Sequence, residues 1–581
     1  MSETKRLPSV EKPWKKYFLE EDWNASVPEE TIYQAFMRGS TGFEGNKAIN
    51  FFDKVITYGE IHEHIEETVK SFRALGIKAG DTVPVCSGTL PEVTYCLYAL
   101  SKIGATMLTL DPRRSGKEIL EFVEASGSDV FVCIDLAYDA VKDGLDELGI
   151  GKVVIIKVEN NMPFIIRHAK QLKMPAPKIE YTDKTVNWKT FISYGVDTDT
   201  CEPAPFSKDH AAAITLTGGT TGRPKGVMIT DLGFSALLQD FGACQVKYTR
   251  EQRYLNIVPC FSSYGLVSSL HMPLVFGAEV IMIPKFEPDK VGHLIKKYKP
   301  NHTMLVPTHY EKLMNSKEAK KGLRLDFMYT CGSGGDTINA GLEEKLNDFL
   351  LSRGAKYPIS QGYGMSEVSS AASCGCRNNV KSLSVGYPLL STVVSVFKPG
   401  TTEELSYNEE GELCMSGPAL MKGYFADPEE TARTMRTHPD GTVWVHSGDI
   451  GYMDEDGFIF IKGRIKRMIT RFDGHKVFPV GTEGQLGTVK NVEAVAVVGV
   501  NDNDHLQGQL PLAVVKLEDP TKKEETVAAL WKLIDEEIEE RGRPCDVVVI
   551  DEMPMTGMDK IDYKKLASDY DLNHNQRVVH A

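Results

Sequence analysis

From Asn46 to Ile134 the sequence alternates short apolar runs with amphipathic stretches, and that alternation restricts the fold more than any other feature of the chain. Tyr58–Leu75 carries helical periodicity, Thr82–Cys86 is a compact apolar run, Tyr95–Ile103 is helical and stops at Gly104, and Ala105–Leu110 reads as another strand. Strand, helix, strand in that order predicts a parallel sheet. Ser128–Ile134 and Lys152–Val158 continue it, and an irregular stretch follows to Pro205. The alternation returns with Glu279–Ile283, Gly292–Lys297 and Thr303–Val306. From Val385 to about Met453 short strands and turns predict an antiparallel or barrel-like section. Val492–Val500, Leu512–Leu517 and a helix over Glu524–Glu539 begin a new small α+β unit after the charged, glycine-led segment Gly463–Arg467. The expected class is therefore α/β: a large N-terminal domain of parallel βαβ sheets with a small barrel-like β section, then a small α+β C-terminal domain.

A chain of 581 residues exceeds one typical domain, so at least two cores are expected. A net charge of −14 argues against nucleic acid as a partner, which would call for a basic face. The 11 cysteines are scattered and odd in number, as reduced thiols in a cytoplasmic enzyme would be. Cys374 and Cys376 form the only close pair, and without partners at ligand spacing they are weak evidence for zinc. Met1–Lys16 is polar, which predicts neither secretion nor an anchor. The most apolar window, Leu266–Ile283, is broken by His271, Pro273, Gly277 and Glu279, and it predicts buried strands and a helix rather than a membrane span. Pro163–Lys173 mixes apolar and basic residues as membrane-surface helices do, although a solvated helix packed on its own domain is the commoner outcome of such a pattern. Oligomeric state leaves no mark in the sequence.

Between two segments that read as strand and turn lies Leu216-Thr217-Gly218-Gly219-Thr220-Thr221-Gly222-Arg223-Pro224-Lys225-Gly226. Glycines let backbone N–H groups turn inward, hydroxyls add donors, and a lysine brings mobile positive charge, a combination suited to polyphosphate and hence to ATP. It is not a Walker loop, because Pro224 precedes Lys225 and Gly226 follows it. A Gly-Pro turn at a strand end is the competing reading. A second segment, Gln361-Gly362-Tyr363-Gly364-Met365-Ser366-Glu367, sets an aromatic between glycines with a carboxylate four residues on. Tyr363 could stack on a purine while Glu367 holds Mg2+ beside phosphate, or the segment could be an ordinary turn. Asp449, in Ser447-Gly448-Asp449, is a fitting acceptor for ribose hydroxyls. Gly463-Arg464-Ile465-Lys466 follows it, and Pro554–Tyr563 presents Lys560 near the C-terminus.

Together and in this order, from Ile56-Thr57-Tyr58 through Leu108-Thr109-Leu110-Asp111-Pro112 to Lys560, these segments resemble the AMP-forming adenylate-forming superfamily, and most nearly its acyl-CoA synthetases. The resemblance implies an AMP-binding adenylation domain over 1–463, a hinge over 464–467 centred on Lys466, and a mobile C-terminal domain over 468–581. It implies two half-reactions: a carboxylic acid and MgATP give acyl-adenylate and pyrophosphate, and a thiol, usually that of coenzyme A, then displaces AMP. Lys560, Glu367 and Lys225 become the implied catalytic residues, with Glu367 the magnesium ligand. Thr217, Gly218, Gly219, Thr220, Thr221, Gly222 and Lys225 would hold phosphates. Tyr363 with Gly334, Gly335 and Asp336 would sandwich adenine, Gln361, Gly362, Gly364 and Ser366 would belong to the same nucleotide site, Asp449 would bind ribose, and Arg464 would lie near ribose or the α-phosphate. Phe261, Ser262, Tyr264 and Gly474 are candidates for the acyl and thiol channels.

Several positions depart from that pattern. Gly218 stands where Ser is common, Ser366 where Thr is, Asp559 where Gly precedes the catalytic lysine, and Gly481 where a Glu is common. Ser262 stands where acyl-CoA synthetases often carry His and amino-acid activators Asp; without that Asp an α-ammonium group has no obvious partner, which argues against amino acids, and the Pro163–Lys173 stretch favours a fatty or other largely apolar acid. Transfer of the acyl group to a carrier protein, and a nucleotide-binding regulator that has lost catalysis, are the alternatives.

Overall fold

The computed structural model describes residues 5–163, 177–217, 224–244, 248–335, 338, 340–502, 504–505, 507–555 and 561–571. Two large sheets form the N-terminal body. One has eight strands in the order Gly423–Tyr424, Gly226–Thr230, Ala211–Leu216, Thr106–Leu110, Thr82–Cys86, Val130–Ile134, Lys152–Ile156 and Thr185–Asn187. From Ala211–Leu216 to the last strand every pairing is parallel, as the βαβ alternation requires, and the Gly226 strand pairs antiparallel with both Ala211–Leu216 and the Gly423 strand. The other has nine strands, with a parallel run through Glu279–Met282, Arg253–Asn256, His302–Leu305, Thr330–Ser333 and Ser360–Tyr363.

Helices form where the pattern places them. Tyr58–Ala74 begins on a reciprocal cap, in which Thr57 accepts the Glu60 N–H and the Glu60 side chain accepts the Thr57 N–H, so two orphan donors are satisfied at once. The helix expected from Tyr95 starts four residues earlier, at Pro91, whose missing N–H costs nothing in a first turn. Every residue of Pro91–Ile103 is buried, so its weak amphipathicity reflects a helix surrounded by core. The apolar window after Leu266 resolves into a buried helical run, Tyr264–His271 continuing as Met272–Val275, and one buried strand, Glu279–Met282. No helix among the described residues is long and apolar enough to cross a membrane. Apart from Pro163, the mixed apolar and basic stretch lies outside the described residues.

The change of pattern after Val385 is a five-stranded antiparallel sheet in which Val393–Phe397, Gly411–Ser416, Val443–Met453 and Met435–Thr437 pair in turn and Ile459–Arg464 joins Val443–Met453. That last strand runs through Gly463 to Arg464, and the turn Ile465–Arg467 follows directly. Beyond it, Val492–Asn501, Gln509–Leu517 and Val547–Ile550 form a three-stranded sheet with helices Pro479–Leu486, Lys523–Glu537 and Tyr563–Asp571. This unit has its own apolar clusters on both faces of the sheet, one around Leu530 and Ile534 and one around Leu566.

Candidate active site

A cleft of about 2780 Å³ runs between the two large sheets, the five-stranded sheet and the C-terminal unit. Thr217, Lys225, Gly334, Gly335, Tyr363, Glu367, Asp449, Arg464 and Lys466 all line it. Residues scattered over 250 positions of sequence therefore face one space.

The glycine-rich loop joins the antiparallel strands Ala211–Leu216 and Gly226–Thr230, and its described base is closed by the Thr217 N–H donating to the Lys225 carbonyl at 2.9 Å. Lys225 Nζ does not point into open space. It donates to Glu430 Oε1 at 2.8 Å and to the Tyr424 hydroxyl at 3.3 Å, and it lies 4.4 Å from the centre of the Tyr424 ring. The hydrogen bond from Lys225 holds the Glu430 carboxyl below its ordinary range. Glu430 is placed by a helix start: Asp427 caps Pro428–Thr434 by accepting the Glu430 N–H at 3.0 Å. Tyr424 in turn donates to Glu367 Oε1 at 2.6 Å, so lysine, phenol and two carboxylates form one connected network. Burial and the Glu367 charge push the Tyr424 phenol up, keeping it a donor.

Glu367 is almost fully buried and sits on a short turn, Ser366–Val368, that leaves the end of Ser360–Tyr363. Gly364 makes that departure feasible, because a Cβ there would fall 2.1 Å from the Ser370 carbonyl oxygen. Ser366 shares a 2.8 Å hydrogen bond with the Ser263 hydroxyl, tying the turn to the neighbouring segment. Tyr363, at the end of the strand Ser360–Tyr363, donates its hydroxyl to Asp449 Oδ2 at 2.7 Å, and Arg464 Nε contacts Asp449 Oδ1 at 2.7 Å. Asp449 and Arg464 are direct cross-strand partners on Val443–Met453 and Ile459–Arg464, so sheet register sets this ion pair. The Asp449 charge raises the Arg464 guanidinium, and burial followed by Asp449 raises the Tyr363 phenol. Gly334 and Gly335 follow the strand Thr330–Ser333, which pairs with Ser360–Tyr363, and a Cβ on Gly334 would lie 3.5 Å from the Gly362 oxygen. Gln361 lies within the same Ser360–Tyr363 strand.

Phe261, Ser262 and Tyr264 line the same cleft. Ser262 donates to the Pro259 carbonyl at 2.8 Å and accepts the Gly265 N–H at 3.1 Å, so its hydroxyl is spent on a local turn. Arg113 lies 5.3 Å from the Phe261 ring centre. Gly474 is placed differently: it tips the hairpin of Ile469–Thr470 and Lys476–Val477, and it is not among the cleft-lining residues. The C-terminal unit turns another edge to the cleft, with Glu552, Met553, Met555, Ile561 and Tyr563 lining it. Gly218, Gly219, Thr220, Thr221, Gly222, Asp336 and Lys560 lie outside the described residues.

Sequence reasoning missed Tyr424 and Glu430, which no motif singles out, although the Asp427-Pro428 helix start could have flagged an acidic first turn. It also missed the support beneath Asp449. Glu412 accepts the Gly448 N–H at 3.0 Å and a hydrogen bond from His446 Nδ1 at 2.9 Å, fixing the bend at Ser447-Gly448. Burial raises the Glu412 carboxyl, but the hydrogen bond and charge of His446 outweigh it and the net shift is downward.

The model of the AMP-binding enzyme family matches residues 37–425, and that of the AMP-binding enzyme C-terminal domain matches residues 482–560. A long-chain-fatty-acid–CoA ligase of Bacillus subtilis is 28% identical over 581 aligned residues, covering 97% of this chain and 99% of the relative. The 4-coumarate–CoA ligase 1 of Arabidopsis thaliana is 29% identical, covering 81% of each. The crystal structure of ATP-bound MatB from Rhodopseudomonas palustris superposes with a TM-score of 0.79 at 22% identity, over 93% of this chain and 99% of that one, a likeness of fold.

Proposed function

The chain belongs to the AMP-binding enzyme family and is an AMP-forming acid–CoA ligase, and we propose that the acid it activates is largely apolar and that one cleft serves both half-reactions. The observation that carries this reading is that the Lys225–Tyr424–Glu367 network and the Tyr363–Asp449–Arg464 group line one space. A carboxylate and a triphosphate repel each other, so catalysis here is chiefly positioning and charge compensation.

In the first half-reaction the acid's carboxylate oxygen bonds to the α-phosphorus as the bond to pyrophosphate breaks. Lys225 exchanges Glu430 for the β- and γ-phosphates, beside the hydroxyls of Thr220 and Thr221. Asp449 accepts from the ribose hydroxyls in place of Tyr363, whose ring is left to lie against adenine beside Gly334 and Gly335. Arg464 stays near the α-phosphate, and Lys560 bridges carboxylate and phosphate. Glu367, a buried carboxylate on the cleft wall, suits Mg2+, which favours one or two carboxylates together with phosphate oxygens. Bound there, the ion would neutralise charge on the departing pyrophosphate. In the second half-reaction the thiolate of coenzyme A bonds to the acyl carbon and AMP leaves with the electron pair of the broken C–O bond. Apolar wall groups, among them Phe241, Tyr248, Phe261, Met304 and Val385, and the Ser262 hydroxyl already committed to its own turn, leave an apolar tail as the best-matched guest.

Pyrophosphate release measured over a panel of fatty, aromatic and amino acids, with and without coenzyme A, tests the reading. Turnover with apolar acids, completed to a thioester when coenzyme A is present, is expected. Preference for amino acids, or pyrophosphate release that never yields a thioester, would overturn it.

A further inference from the structure

One wall of the cleft carries a group of side chains that the ligase chemistry does not use. Cys244 caps the C-terminal end of helix Asp231–Ala243, Cys374 ends the short strand Ser373–Cys374, and Cys376 lies two residues on, in a bridge with Asn379. The sulfurs of Cys244 and Cys374 are 3.7 Å apart, those of Cys374 and Cys376 are 3.4 Å apart, and all three lie within 4.8 Å of one another. All three are free thiols that line the cleft.

From these positions the structure assigns a three-thiolate site for a soft, thiophilic metal ion, zinc or copper(I) by class, on the inner wall of the cleft. Tetrahedral zinc with Zn–S bonds of about 2.3 Å sets its sulfurs about 3.8 Å apart, close to the spacing found here. Thiolate donors select zinc and copper(I) over the hard cations that carboxylates and phosphates hold, so this site and the magnesium position at Glu367 do not compete. The backbone around the thiols is tightly constrained. Gly386, at φ +82°, lets its segment pass so near that a Cβ there would fall 2.0 Å from the Cys374 carbonyl carbon and 2.2 Å from the Gly375 nitrogen. The Gly375 N–H donates to the Gln361 carbonyl at 3.0 Å and the Cys244 N–H to the Asp240 carbonyl at 3.1 Å, so both sulfur-bearing segments are held by main-chain bonds. Three protein sulfurs leave a fourth tetrahedral position, and because the cysteines line the cleft, that position opens towards it. Metal uptake releases the thiol protons to solvent and requires no oxidant.

The Cys-Gly-Cys pair alone gave no reason to expect this, because its third partner stands 130 residues earlier in the chain. The test is an anaerobic titration of the reduced, metal-stripped full chain with cobalt(II), followed by zinc. One equivalent of cobalt should produce sulfur-to-cobalt charge-transfer absorption with tetrahedral d–d bands, and one equivalent of zinc should bleach both. Cys374→Ser and Cys244→Ser should each weaken binding by more than the roughly 10–100-fold that loss of an outer-shell partner costs, while Cys414→Ser, in a separate buried cluster, should bind as the wild type does. Acetate should shift the d–d bands if the fourth position opens on the cleft. Absence of charge-transfer absorption in the wild type, whose folding is not in question, overturns the site, as does equal uptake by Cys374→Ser. Bands indifferent to acetate overturn the open position.

Discussion

Lys225, a side chain suited to phosphate, is paired with a carboxylate of its own chain. Glu430 sits where the first turn of its helix puts it and supplies the lysine with a counter-charge, each side chain about a quarter exposed. Any anion that takes the lysine must first break this pair. Ion pairs of this exposure contribute roughly 0.2–1 kcal/mol, so Glu430→Gln should lower the KM for MgATP by about 1.4- to five-fold with kcat little changed. A raised KM would mean that Glu430 helps to hold the nucleotide. A second residue sets a pH dependence. Asp240 is fully buried, and burial pushes its carboxyl from 3.8 up to about 7 even though the Ser391 N–H and hydroxyl both donate to it. The folded chain therefore holds a proton there that the unfolded chain has released, and this contribution to stability is complete below 3.8 and lost as pH rises through about 7. Asp240→Asn cannot titrate, so its urea-unfolding free energy should fall less steeply than that of the wild type across that window. Parallel slopes would show that Asp240 ionises in the folded chain much as it does in the unfolded one.

At the scale of elements, legibility followed contiguity. Tyr363, Gly364 and Glu367 could be read together because one strand end and one turn carry them, and the glycine's purpose is plain in the 2.1 Å approach of the Ser370 carbonyl. Gly364→Ala should therefore abolish most pyrophosphate release by displacing Tyr363 and Glu367, with the melting transition still cooperative; full activity would show that the turn relaxes freely. The parallel sheets were legible for a similar reason, since strand and helix periodicities repeat within short windows. Partners brought together only by the fold were not. Tyr424 reaches Glu367 across 57 residues, and Glu430 reaches Lys225 across 205, and no local pattern encodes either meeting. The sequence pattern starts the buried helix at Tyr95 rather than Pro91 because a segment surrounded by core shows little amphipathic contrast, leaving Pro91 as the only local signal.

For the whole molecule, the account needs two lobes working on one cleft. The C-terminal unit has its own cores and follows the N-terminal body through the short turn Ile465–Arg467, with the edge around Met553, Met555 and Tyr563 facing the cleft. The hairpin carrying Gly474 does not line it, so a step using that hairpin requires the unit to turn about the segment that contains Lys466. Lys466→Pro fixes φ there and should impair thioester formation more than adenylation; greater damage to adenylation would remove the case for rotation. The most direct test of the central claim, that cationic groups from both lobes let two anions react, is to assay the two half-reactions of Lys560→Ala separately. Adenylation should slow by roughly 10²–10³-fold, the loss expected for one transition-state donor, while thioester formation from supplied acyl-adenylate proceeds at the wild-type rate. Equal loss in both steps would contradict it.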